Sequence, residues 1–519
     1  MAVVGALSGM RRMTAAFRLP TPSARWLIAL GVLLHLALAT SAGLSPDEAH
    51  YALYGAHLDW SYFDHPPLTG WLQAPFVAAG GLDLMMRIVP MASWLLAVRW
   101  MIALCRQLPL TTGQWNASAA RIDVWVVVMM LASPMLNLLG VALVPDTLLI
   151  ALVPGVMSAT WRLRSPDVAA RPRNWLLLAL LLGLCVLSKY TGVFVVFGTL
   201  LSLLRFHGAG LLRIRGAWLC AFIVGVSSSP VLVWNIQHDW ASIAYQFAHS
   251  IGNQDWTIRS AVRAVALQSG LYGLLLPIAA ARALRERAVN SADVVDARKM
   301  GVAFAVPVLV VFALMSGRGC SLPHWTACGW VALVPLAVGG VRHMGSRTLT
   351  GLLLWQGALI GAILGLVLTG GPGSESGAAA TSAAGARIAG AHRNPIADMV
   401  GWEEAAQHGA GLAEQRRARG MVVMNWSLAS RLAWYARPMP VFVAPTHNDQ
   451  FAYWFGSLQP GDSAVVVDWS GMPLDVPIGP DGFASCKALG QLPSMVDGRQ
   501  VAHFNYLYCQ GWRRPSPKR

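Results

Sequence analysis

Charge is what this chain has least of. Charged residues make up 12% of its 519 positions, against about 25% in soluble globular domains. That deficit excludes a water-soluble fold for most of the length. Acids are the scarcer sign, with Asp+Glu 24 against Lys+Arg 39. A net charge of +15 would suit a nucleic-acid binder. The basic residues, however, sit in short loops between apolar blocks, so membrane topology accounts for them and nucleic acid is not an expected partner. Cysteine is sparse, at 7 residues, and no CxxC or Cys/His zinc spacing occurs. Cys105, Cys185, Cys220, Cys320 and Cys328 fall in or beside apolar blocks and read as small packing residues. No internal repeat is visible, which counts against a carrier built from duplicated halves.

Apolar residues, at 55%, are what the chain has in abundance. They come in blocks of roughly 16–22 residues, enough to cross a bilayer core of about 30 Å. The blocks run at 26–44, 84–104, 122–143, 147–161, 175–188, 192–204, 216–234, 262–281, 301–316, 325–341 and 348–370, about eleven spans. The expected fold class is therefore mainly α, a polytopic membrane helical bundle. Arg11, Arg12, Arg18 and Arg25 before the first block imitate a signal peptide. Because many spans follow and the richest motif comes directly after it, the block reads as an uncleaved first helix.

Sorting the connecting loops by charge gives an orientation. Arg106, Arg162 to Arg173, Arg205 to Arg215, Arg282 to Lys299 and Arg342 to Arg347 join the N-terminal arginines on one side. The segments 45–83, 145–146, 188–190, 235–261 and 317–324 fall on the other. The positive-inside tendency makes the first set cytoplasmic. The expectation is an inner-membrane protein with a cytoplasmic N-terminus and a periplasmic tail. The chain then divides into a transmembrane domain at 1–370, a Gly/Ala/Ser-rich flexible linker at 371–392 and an α/β outer domain at 393–519. The β-rich runs Met421–Met424, Pro440–Ala444 and Ala464–Asp468 alternate with helical patterns in that last part. Cys486 and Cys509 would lie in an oxidising compartment, either as a disulfide or as two buried thiols.

The polar constellations all fall on the outer set. The first loop gathers Asp47, Glu48, His50, Tyr51, Tyr54, His57, Asp59, Trp60, Tyr62, Asp64 and His65. Ser45 and Pro46 are a cap and first-turn residue for a helix from Asp47, and His65-Pro66-Pro67 imposes an extended backbone. Acids this close to a span are costly and tend to be functional; alone, Asp47 and Glu48 read equally as a pair facing a helix dipole. Pro145-Asp146-Thr147 is a tight turn with a carboxylate on the same side. Lys189 is a cation on a sparsely charged face, placed for a phosphate or for snorkelling. Trp234, His238 and Asp239 mix aromatic and hydrogen-bonding groups as sugar sites do, although membrane-interface belts also enrich Trp. Arg87, Arg318 and His324 add outer cations. A divalent metal remains open: Asp64, His65, His238 and His324 are candidate ligands, yet no ligand spacing demands one.

Asp47-Glu48-Ala49-His50-Tyr51, Leu58 through Leu68, Pro145-Asp146, Leu187 through Thr191 and Pro230 through Trp240 together resemble the bacterial branch of the dolichyl-phosphate-mannose protein mannosyltransferase family, to which lipid A aminoarabinose transferase is related. The likeness runs in order along nearly the whole chain. It implies a C-type glycosyltransferase fold and inverting transfer of a sugar from a polyprenyl-phosphate donor to a lipid, glycan or protein acceptor. By that resemblance Asp47 is the base, Glu48 accompanies it and Asp146 is a second acidic position. Tyr51, Asp64, Trp234, His238, Asp239 and His324 are candidates to line the substrate. One departure stands out. Aminoarabinose transferases carry Glu-Lys-Pro-Pro where this chain has Asp64-His65-Pro66-Pro67. Positive charge for the donor phosphate then falls to His65, Lys189, Arg87 or Arg318. The rival class is a multispanning transporter or flippase, which would also carry many spans and intramembrane charge.

Overall fold

A computed structural model describes residues 18–109, 118–251, 255–286, 291–319, 321–369, 397–444, 449–496 and 498–513. The expected linker at 371–392, Cys320 and the arginines Arg11 and Arg12 lie outside these residues. The helices used below are α1 (Pro22–Thr40), α2 (Pro46–Ala56), α3 (Leu68–Ala78), α4 (Ile88–Gln107), α5 (Pro145–Arg162), α6 (Leu176–Ser188), α7 (Gly192–His207), α8 (Ser229–Gln237), α9 (Ala241–Ile251), α10 (Ile258–Leu271), α11 (Ala292–Met315), α12 (Ser346–Thr369), α13 (Trp402–Gln415) and α14 (Trp426–Tyr435).

The chain forms two compact units: Met1–Ala37, Asp59–Leu72 and Arg87–Gly361 make one, and Leu38–Leu58, Gln73–Met86 and Ala362–Arg519 make the other. The first unit is a helical membrane bundle. Among the described residues, six helices are long and apolar enough to cross a bilayer, or up to eight if each bent pair counts as one span. Two of the apolar blocks are bent rather than straight. Ile258–Leu271 and Leu275–Arg285 meet at 99°, and Pro323–Ala332 and Val334–His343 at 54°. Gly273 at the first bend has φ +89, a conformation that glycine adopts without strain. The buried Arg106 and Asp123 side chains pair at 2.5 Å, as a low-dielectric interior requires. The part-exposed Arg164 reaches both Asp293 and Asp296.

The second unit is built around a five-stranded mixed sheet of order β2-β1-β3-β5-β4. β1 (Met421–Val423) lies parallel to β2 (Val441–Val443) and to β3 (Ala464–Trp469). β5 (Arg499–Trp512) runs antiparallel to β3 and to β4 (Phe483–Val496). The first two strands are short apolar runs, buried throughout in β1 and at Val441 and Phe442 in β2, as expected for parallel strands covered on both faces. Cys486 and Cys509 are directly opposed on β4 and β5 and form a disulfide.

The core on one face of this sheet takes in residues far away in sequence. Leu44, Ala49, Ala52, Leu53 and Met86 are buried in one cluster with Trp402, Leu428, Leu432, Trp434 and Tyr506. Helix α2 thus belongs to the same compact unit as the tail. Its small residues at 49 and 52 and its Leu53 make the helical stripe that packs there. Complete burial of Leu53 alone contributes roughly 2 kcal/mol. Gly55 faces the next segment so closely that an added Cβ would lie 3.0 Å from the Ala74 backbone nitrogen.

Candidate active site

In the first unit the apolar residues of four motifs converge. Leu68, Leu143, Leu148, Leu187 and Val231 form one buried cluster, with Trp71, Val89 and Tyr190 packed against it. That cluster sets Asp146, Lys189 and the start of α3 beside α8. Asp146 is the second residue of α5, and Lys189 caps the C-terminus of α6 in extended conformation. Lys189 Nζ donates to Asp146 Oδ2 at 2.5 Å, with side-chain exposures of 6% and 1%. A pair this dry is held by mutual neutralisation, because either charge alone would be strongly unfavourable there. Asp146 Oδ1 is also buried and accepts no protein hydrogen bond. His324 Nε2 stands 3.9 Å from Asp146 Oδ2. The Trp325 ring lies 5.9 Å from Lys189 Nζ, close enough for a cation–π attraction.

The second half of the first loop is organised by Asp59. Its Oδ2 accepts the Trp234 indole N–H at 2.9 Å, and its Oδ1 accepts the Trp60 amide at 2.7 Å. Its carbonyl accepts from Trp71 Nε1 at 3.0 Å. His238 stacks on Trp234 with ring centroids 3.9 Å apart. Asp239 is exposed and has φ +51, so the chain reverses there. The turn Tyr62–His65 is closed by the Tyr62 amide donating to the His65 carbonyl. Ser242 and Gln246 of α9 anchor the same turn by donating to the carbonyls of Tyr62 and Asp64. Burial and then the charge of Asp64 push the Tyr245 phenol up to about 12. Asp64 and His65 are half-buried.

Arg87 is 3% exposed and precedes α4. Arg318 is exposed in the short turn Ser316–Arg318. Trp256 and Thr257 fasten that turn through the Leu314 and Gly317 carbonyls. The candidate metal ligands are not gathered. Asp64 and His65 share one turn, His238 stacks on Trp234 and His324 faces Asp146. Among the described residues no group of three or more His, Cys, Asp or Glu side chains is placed to hold one ion.

Asp47, Glu48 and Tyr51 belong to the second unit. Ser45 and Glu48 form a complete capping box: Ser45 N donates to Glu48 Oε2 at 3.0 Å and Glu48 N to Ser45 Oγ at 3.3 Å. The box gives Glu48 a local structural duty and holds the first turn of α2 around half-buried Asp47. Tyr51 is 5% exposed and packs edge-on against His50 and Tyr54. His50, one turn beyond Asp47, is enclosed by Tyr51, Tyr54, Trp426, Phe451 and Trp454, and its Nδ1 lies 3.2 Å from Ser430 Oγ. Ser430 Oγ also lies within hydrogen-bond reach of the Trp426 carbonyl.

Several organising residues carried no strong signal in the sequence. Asp59 was one of many polar residues in a dense loop. The tail residues Ser430, Arg431 and Tyr435 sat in an ordinary amphipathic pattern. Arg431 is fully buried, lies 3.5 Å over the Trp402 ring and donates to Asp398 Oδ1 at 2.8 Å.

Comparison with known proteins fits this geometry. The family model described as dolichyl-phosphate-mannose-protein mannosyltransferase matches residues 64–234. Lipid A galacturonosyltransferase RgtD of Rhizobium johnstonii is 24% identical over 300 residues, 56% of this chain and 59% of the relative. The chain therefore matches less than two thirds of that protein's length. Two crystal structures of ArnT from Cupriavidus metallidurans, one apo and one bound to undecaprenyl phosphate, superpose with TM-score 0.61 at 15% identity, covering 93% of this chain and 97% of theirs. The fold is that of these ArnT structures, a helical bundle with a small sheet-containing tail.

Proposed function

We propose that the chain is a membrane glycosyltransferase that moves a sugar from a polyprenyl-phosphate donor to an envelope lipid, lipid A foremost, on the periplasmic face of the inner membrane. The observation that carries this reading is the buried Lys189–Asp146 pair, flanked by His324 and Trp325, in a chain of this fold. A buried ion pair adds little stability, and ionisable groups in a membrane bundle are retained for function. The solved ArnT structure with undecaprenyl phosphate supports the donor class. The sequence likeness to a lipid A galacturonosyltransferase supports the acceptor and makes a uronic acid the first sugar to try.

In the proposed reaction an acceptor hydroxyl attacks the anomeric carbon from the face opposite the phosphate. Its oxygen forms the new glycosidic bond while the bond from the anomeric carbon to the phosphate oxygen breaks. The electron pair leaves with polyprenyl phosphate, and the acceptor proton goes to the Asp47 carboxylate. Inversion follows from the single displacement. Lys189, Arg87, His65 and Arg318 are the cations assigned to the departing phosphate. Asp146 holds Lys189 in register, and Tyr51, Asp64, Trp234, His238, Asp239 and His324 are assigned to the substrates.

The test uses purified full-length chain in nanodiscs with lipid A and undecaprenyl phosphate carrying sugar-labelled galacturonic acid, aminoarabinose or mannose. Label appearing in lipid A supports the reading. Label moved across the membrane without transfer supports a carrier. Asp47→Asn is expected to insert and fold normally yet lose transfer by roughly 10²-fold or more, the scale of lost general-base catalysis; near-normal turnover removes Asp47 from the role of base.

A further inference from the structure

We propose that Tyr435, near the end of tail helix α14, is a positioning residue for Asp47. This inference rests on the reading of Asp47 as the base. Tyr435 Oη accepts the Leu44 amide N–H at 2.9 Å and donates to Asp83 Oδ2 at 2.6 Å. It approaches the chain so closely that a Cβ on Gly43 would lie 3.2 Å from that oxygen. Gly43, Leu44, Asp83 and Tyr435 all belong to the second unit.

The contact falls at a decisive place in the sequence. Leu44 precedes the helix cap Ser45, and the capping box fixes Ser45 against Glu48. Asp47 lies inside that box. The backbone amides of Leu44, Ser45 and Glu48 are thus held on either side of Asp47, the first by Tyr435 and the others by the helix's own cap. The remainder of α2 is held by other means, namely the apolar stripe at Ala49, Ala52 and Leu53 and the His50–Ser430 contact. Packing of that kind fixes the helix against its neighbours, and the capping box closes its first turn, but neither fixes the backbone that leads into the cap at Leu44. The phenol removes that freedom. By donating to the Asp83 carboxylate, the Tyr435 oxygen becomes a stronger acceptor for Leu44. Asp83 itself belongs to the segment that follows α3, so three stretches of chain converge on one oxygen. Leu44 is 2% exposed, and without the phenol its amide has no water to turn to. A carboxylate that must meet an acceptor hydroxyl within hydrogen-bond reach is sensitive to small displacements of this turn.

Tyr435→Phe in the full chain separates this role from general support. The donor–acceptor pair that turns over in the nanodisc assay serves for kinetics, and hydrogen exchange read by mass spectrometry needs no ligand. The expected result is a kcat lowered about tenfold, or about 1.4 kcal/mol, with donor KM within twofold. Exchange is expected to quicken in the peptide covering Leu44–Glu48 and to stay unchanged in β3 and β5. Asp83→Asn, which keeps the phenol but weakens its partner, is expected to fall between Tyr435→Phe and the unaltered chain. Unchanged kcat in Tyr435→Phe, with Asp47→Asn inactive, overturns the positioning role and leaves the proposed function standing. Exchange that quickens throughout the tail sheet also overturns it, since the residue is then a general support. Full activity of Asp47→Asn overturns the underlying reading, and with it any catalytic purpose for the contact.

Discussion

At the scale of single residues, the chain contains two buried charges with a clear thermodynamic signature. Removing Lys189 leaves Asp146 as an isolated charge in a dry setting. Lys189→Met is expected to cost about 3–5 kcal/mol, and Lys189→Met combined with Asp146→Asn should recover much of that loss. Thermal unfolding of the two variants in detergent measures the difference. His57 supplies a second case. Burial first, and the charge of Arg437 second, hold its pKa below the ordinary 6.5. It stacks on Trp454 at 5.1 Å. Below pH 6.5 the unfolded chain takes up this proton more readily than the folded one. The stabilisation is therefore complete above that pH and lost as pH falls through the window beneath it. The unfolding midpoint should drop between pH 7 and 5, and His57→Gln should flatten the slope; an identical slope in the variant would show that other groups set it. Residue types and local spacing singled out the candidate residues: Asp47, Asp146 and Lys189 stood out as charges beside apolar runs, and the structure pairs the last two. Tyr435 did not, because a tyrosine in an amphipathic helix announces nothing about a partner amide nearly the whole chain away.

At the scale of elements, the apolar blocks located the helices well but not their shape. The blocks at 262–281 and 325–341 each hold a bend, and hydropathy averaged over a window is blind to direction. The count of about eleven spans treated every block as a straight crossing, whereas six helices, or eight with the bent pairs, meet that requirement among the described residues. Close helix contacts were likewise hidden. Gly340 packs so tightly that an added Cβ would lie 1.8 Å from the Ala279 carbonyl oxygen. Small residues at crossings let membrane helices approach in this way. Gly340→Ala is expected to force Val334–Gly340 away from Leu275–Arg285 at a cost of about 1–3 kcal/mol. A lower unfolding midpoint with unaltered tail exchange would identify the bundle as the part affected.

At the scale of the whole molecule, composition alone pointed to a helical membrane protein with a polar tail, and the fold has that character. Composition did not indicate that the loop after α1 is shared out. Its first part, Leu38–Leu58, and a later part, Gln73–Met86, join the tail's core, while Asp59–Leu72 joins the bundle. The physical reason lies in the side chains of α2 and α14, Ala49, Ala52 and Leu53 with Leu428, Ala429 and Leu432, which are buried in one core cluster. Their apolar stripes are complementary, but each stripe alone only says that the helix packs against something.

That three-part construction bears on how such proteins can be recombined. A tail exchanged between relatives at the glycine-rich junction would arrive without the two earlier segments that complete its interior, and would leave the recipient's own α2 facing a foreign surface. A workable graft has to carry residues 38–58, 73–86 and 397–513 as a set, so the transferable module of this protein is discontinuous in its gene.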